Sequence, residues 1–149
     1  MNSESRLNGL IRAWEQGRPA HASFMKIDRQ SAIEMSASPY DGLVFEMEHN
    51  PYDADALGDA LQYLLNRRQI LEAASPAPAV TPLARIPANG VEMNQTFAKQ
   101  VLDRGVYGVI WPHVATVERT IDIQPFLVRP RDKQTFFISC RGHRTSCNV

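Results

Sequence analysis

A chain of 149 residues, with 44% apolar and 21% charged side chains, has the size and make-up of one globular domain with a proper core. Sixteen basic residues balance sixteen acidic ones, so bulk charge draws the chain to neither nucleic acid nor a membrane surface. No apolar run reaches the length of a membrane span, and Met1-Asn2-Ser3-Glu4-Ser5-Arg6 lacks the basic-then-apolar layout of a secretion signal. The two cysteines, Cys140 and Cys147, make neither a disulfide framework nor a paired zinc motif, and a cytoplasmic protein is expected.

Leu7, Leu10, Ile11 and Trp14 fall at helical spacing, and Gly17-Arg18-Pro19 ends that segment. Residues 22–27 read as a short first strand, and 29–36 as a short helix before the turn Ser38-Pro39-Tyr40-Asp41-Gly42. Residues 43–48 form the second strand. A long helix follows, with Leu57, Leu61, Leu64 and Leu65 in one stripe and Asp53 or Asp55 as its cap. Ser75-Pro76-Ala77-Pro78 is a stiff loop. Residues 81–86 are a third strand, stopped by Pro87-Ala88-Asn89-Gly90. Phe97, Ala98, Val101 and Leu102 mark a helix closed by Gly105. Residues 106–111 are a fourth, nearly all-apolar strand ended by Pro112, and another helix begins over 116–123.

Strand–helix alternation with continuous apolar strands implies a parallel sheet covered by helices. Two architectures fit: a doubly wound open sheet, or part of a (β/α)8 barrel, whose full form needs about 250 residues. The stretch from Gln124 onward breaks the pattern. Arg129, Arg131, Lys133, Arg141 and Arg144 face one acid, Asp132, and only residues 135–139 suggest a further short strand. The chain therefore divides into 1–123 and an atypical tail, 124–149, read as disordered or as the product of a shifted reading frame.

The chemistry-bearing groups sit at strand ends. The second strand runs Leu43-Val44-Phe45-Glu46-Met47-Glu48-His49 before Asn50-Pro51 breaks it. Arg85-Ile86-Pro87 lies at the end of the third strand and His113 follows the fourth. In a parallel α/β fold these ends share one face, where ligands bind. A cation, an imidazole and carboxylates gathered there would stabilise an oxyanion and move a proton. On an ideal strand Glu46 and Glu48 share a face and His49 takes the other. Plainer readings stand beside this one. Arg85 pairs with Glu46 or Glu48 simply to neutralise charge near a core. His113 is a loop histidine with no partner close in sequence. Glu-x-Glu-His is no specific metal signature, and Cys140, Cys147 and His143 form an accidental cluster.

The runs Asp41 to Asp53, Ala84-Arg85-Ile86-Pro87 and Val101 to Val114, in that order and spacing, resemble the HpcH/HpaI aldolase family, grouped with the citrate lyase β-type barrels. The likeness extends over residues 5–122 and is nearest to the 2,4-dihydroxyhept-2-ene-1,7-dioate aldolase-like branch. It implies about the first four units of a (β/α)8 TIM barrel. It also implies a carbon–carbon lyase that reversibly cleaves a 4-hydroxy-2-oxo acid to pyruvate, or a similar 2-oxo acid, and an aldehyde. A divalent ion, Mg2+, Mn2+ or Co2+, is implied as the Lewis acid for the enolate. His49 matches the family's base toward the hydroxyl. Arg85 matches the arginine that steadies the developing oxygen charge, and Glu46 stands where an Asp usually orients the histidine. The family's two metal-binding carboxylates lie on later strands that residues 124–149 do not match.

The sequence therefore predicts an aldolase-family lyase preserved in its N-terminal half, without its metal ligands and inactive as this chain. The alternative is a non-catalytic half-barrel that self-associates as a homo-oligomer or binds a small carboxylic acid.

Overall fold

The computed structural model describes residues 6–73, 75–88 and 95–114, together with the backbone of Phe136–Cys140. Ten elements follow one another: α1 (Gly9–Glu15), β1 (Ala22–Met25), α2 (Arg29–Met35), β2 (Gly42–Glu46), α3 (Ala54–Leu64), α4 (Arg67–Glu72), β3 (Thr81–Arg85), α5 (Gln95–Arg104), β4 (Gly108–Pro112) and β5 (Phe136–Cys140). The strands form one sheet in the order β1-β2-β3-β4-β5, and every pair is parallel. A doubly wound sheet reverses its order at a switch point. This sheet does not reverse, and sequential parallel order is that of a (β/α)8 barrel. The structure is thus an α/β fold and part of such a barrel.

Side-chain alternation gives the sheet two working faces. Leu43, Phe45, Met47, Ala84, Ile86, Val109 and Trp111 pack with Leu57, Ala60 and Leu64 of α3 and with Ala98 and Val101 of α5. The opposite face carries Val44, Leu83 and Ile110, covered by Leu10 and Trp14 of α1. That helix is seated at the strands' N-terminal ends. Asn8 caps it by accepting from the N–H groups of Leu10 and Ile11, and the Gly9 N–H donates to Thr81 Oγ1 at 2.7 Å. Two steps beyond Val44 and Leu83 on this second face come Glu46 and Arg85, at the C-terminal ends.

The structure departs from the sequence reading in places. Strands β1 and β2 end two residues earlier than the apolar pattern suggested. The long helix is two. Leu65 leaves helical geometry at ψ 87°, and Asn66 caps α4 by accepting from the Gln69 N–H at 2.9 Å. The strand anticipated within the tail is β5, seated parallel on β4. The helix expected over 116–123, the rest of 124–149, and the Cys147 and His143 side chains lie outside the described residues. Among the described residues, no helix is long and apolar enough to cross a membrane.

Candidate active site

Register brings the first pair together. Glu46 and Arg85 stand directly opposite as the last residues of β2 and β3. Both Glu46 oxygens receive the guanidinium: Nε donates to Oε1 at 3.0 Å, and Nη2 donates to Oε2. A bidentate fork of this kind is the strongest geometry open to a carboxylate and an arginine. Arg85 Nη1 also reaches Glu48 Oε2 at 2.9 Å, so two carboxylates share one guanidinium. The guanidinium carbon lies 4.5 Å from the centre of the Phe24 ring on β1, a cation–π contact.

Glu46 also organises the chain beyond it. Its Oε1 accepts the backbone N–H of Glu48 at 2.7 Å and that of His49 at 3.3 Å, while its carbonyl accepts from Asn50 Nδ2 at 3.2 Å. The turn that ends β2 is therefore tied to the strand's last carboxylate. Burial alone would raise the Glu46 carboxyl. The Arg85 guanidinium and the two N–H donors outweigh burial and hold it below the usual glutamate range.

The imidazoles meet a different carboxylate. His113, just past β4, brings Nε2 to 2.7 Å from Glu48 Oε1, whereas His49 Nε2 stands 3.8 Å from Glu48 Oε2. The His49 side chain is 72% exposed and that of Glu48 only 5%. The structure thus gathers Glu46, Arg85, Glu48 and His113, with His49 at the rim. Glu46 meets His49 at its backbone N–H. Of the two pairings weighed for Arg85, both occur.

Sequence reasoning had no partner for His113, because that partner comes from two strands away. It also passed over Phe24 and Asn50. Period-two alternation in β1 could have placed Phe24 on the Glu46 face, but nothing charged marked it.

The arrangement can hold an anion against a guanidinium and move protons at an imidazole beside it. It is poorly suited to the divalent ion that the resemblance implies. Among the described residues, no three His, Cys, Asp or Glu side chains converge as ligands for one ion. The Glu46 and Glu48 oxygens are taken up by Arg85, by backbone N–H groups and by His113, so an ion between them would have to displace the guanidinium.

No protein-family model matches the chain, and no curated protein matches its sequence. Solved structures do match it. An HpcH/HpaI aldolase/citrate lyase family protein from Burkholderia cenocepacia J2315 superposes with a TM-score of 0.62 at 21% identity, over 85% of this chain and 45% of its own. The citrate synthase SbnG gives 0.66 at 21% identity, over 87% of this chain and 54% of its own. Macrophomate synthase gives 0.55 at 19% identity, over 76% and 35%. The chain spans about half the length of the first two of these structures. Over that span it has the fold of HpcH/HpaI aldolase/citrate lyase family proteins.

Proposed function

We propose that the chain carries the proton-handling and guanidinium part of an aldolase-type carbon–carbon lyase site. Its substrate class is a 4-hydroxy-2-oxo acid, cleaved reversibly to pyruvate or a similar 2-oxo acid and an aldehyde. A base removes the proton of the 4-hydroxyl and the C3–C4 bond breaks. The electron pair passes to the enolate of the 2-oxo acid, the hydroxyl carbon leaves as the aldehyde, and the enolate takes a proton at C3 to give the free 2-oxo acid. His49, beside the buried Glu48, takes the base role. Arg85 faces the oxygen on which charge develops, and Glu46 fixes both the guanidinium and the turn that carries His49. A cytoplasmic location belongs to the same reading, supported by the balanced charge and scarce cysteine.

The observation that carries this proposal is the convergence of Glu46, Arg85 and Glu48 at the C-terminal ends of barrel-ordered strands, the end where such barrels perform chemistry. The neighbours named as aldolase, lyase or synthase support it at the level of class. A test compares the chain with a chimera that joins it to the later strands of a solved relative, in millimolar Mg2+, Mn2+ or Co2+. The chimera should release pyruvate from a 4-hydroxy-2-oxo acid, and His49→Ala should lower that rate by about two to four orders of magnitude. The chain by itself should bind pyruvate without turnover, because its described side chains supply no ligand set for the ion. Undiminished release by the His49→Ala chimera would sink the assignment.

One observation favours a second reading, a non-catalytic half-barrel that binds a small acid or pairs with another copy. Arg85 is already matched by two carboxylates, which leaves less of its charge for an oxyanion. Pyruvate binding with no release in the chimera would select this reading.

A further inference from the structure

Two histidines border the site, and the structure treats them differently. His49 Nε2 lies 3.8 Å from Glu48, beyond hydrogen-bond reach, on a largely exposed side chain. His113 Nε2 lies 2.7 Å from Glu48 Oε1, well within it, on a side chain that is itself 57% exposed. The carboxylate that holds His113 is buried, and its other oxygen is bound to Arg85. Among the described residues, His113 is the one non-glycine residue with a left-handed backbone, φ 57°. An L-residue adopts that conformation at some cost, and such departures collect at functional sites. Here the turn brings the ring from β4, past β3, to a carboxylate that follows β2.

We propose that His113 is a second proton-handling residue of this site, facing the 2-oxo acid, and that Glu48 is its positioning residue. The proposal rests on the lyase reading above and adds to it a histidine that the resemblance does not assign. With the Nε2–H given to Glu48, the neutral ring carries its lone pair on Nδ1, so proton exchange with a bound acid runs through that atom. Glu48 holds this ring and the Arg85 guanidinium on its two oxygens. It thereby fixes the distance between the site's cation and its proton carrier, as a carboxylate behind a working histidine does elsewhere. The plainer role is a staple that ties β4 to β2, and the two roles differ in their response to ligand.

The test is 15N NMR of the full chain labelled at histidine, titrated with pyruvate. A saturable shift of His113 Nδ1 is expected. It should be lost in Glu48→Gln and partly restored in Glu48→Asp, each with the amide spectrum of the folded protein retained. His113→Asn, whose side chain tolerates the left-handed backbone, offers an independent check. It should weaken pyruvate binding by about tenfold, the scale of one charge-assisted hydrogen bond. Pyruvate-dependent shifts at the Arg85 and His49 amides without movement of His113 would overturn this inference and leave the lyase reading standing. No pyruvate-dependent shift anywhere would overturn both.

Discussion

At the scale of single residues, Glu46 links the fold to one proton. Its carboxyl is held below the ordinary value of 4.5, so the unfolded chain binds more protons in the interval between the two values. Stability therefore rises with pH through that interval. The Glu46 contribution is complete above the ordinary value and lost as pH falls through the folded one. Glu46→Gln should lower the unfolding free energy by about 1–3 kcal/mol near neutral pH, the range for a lost charged hydrogen bond. In urea titrations the gap between wild type and variant should close as pH drops below 4.5. A gap that stays constant would mean that the carboxylate is not ionised against Arg85. Glu46, His49 and Arg85 were all legible as polar groups near strand ends, since such groups stand out after an apolar run. Their pairings were less so. Two residues separate Glu46 from the Glu48 that meets the imidazole of His113, and local sequence carries no distance between strands.

At the scale of elements, α1 shows tertiary packing reversing a local preference. Glycine inside a helix ordinarily costs about 1 kcal/mol relative to alanine. A Cβ on Gly9, however, would lie 2.9 Å from the Asp41 carbonyl oxygen and 3.0 Å from Thr81 Oγ1. Backbone cannot move aside cheaply, so Gly9→Ala should destabilise by about 1–3 kcal/mol despite its better propensity. A raised melting temperature would show that α1 is not pressed against these strand ends. The α3–α4 break belongs to the same scale. The leucine stripe ran on to Leu65, but Asn66 is a strong capping residue, and it starts a second helix after the first has ended. Periodicity reports a face and says little about where the axis turns.

At the scale of the whole molecule, burial among the described residues is concentrated where helices meet one face of the sheet. Leu57 of α3 is fully buried there, while Leu71 of α4 is 81% exposed. Leu57→Ala should cost about 2–5 kcal/mol in urea unfolding, and Leu71→Ala should stay within about 0.5 kcal/mol. Equal effects would mean that the helices do not pack on the sheet as described. Among the described residues, β1 is hydrogen-bonded to a strand on one side only, and Phe24 is 55% exposed on it. An uncovered strand edge of this kind invites pairing with another chain. On the second functional reading, sedimentation should show mass rising with concentration, and Phe24→Lys should suppress the rise.

The sequence by itself determined the α/β class, the order of the strands along the chain and the polar groups gathered near their C-terminal ends. Those follow from local physics: apolar period, capping side chains and the breaks made by glycine and proline. Periodicity alone left a doubly wound sheet and a barrel equally open, because both give the same alternation; the family resemblance pointed to the barrel, and strand order in the tertiary structure shows it. The same holds for the site. That Glu46 takes Arg85, and that Glu48 joins Arg85 to His113, depends on the register of β2 on β3 and on a left-handed turn after β4. Register and crossing order are set by how helices cover the sheet, an energy summed over distant residues, and no short stretch of sequence contains it.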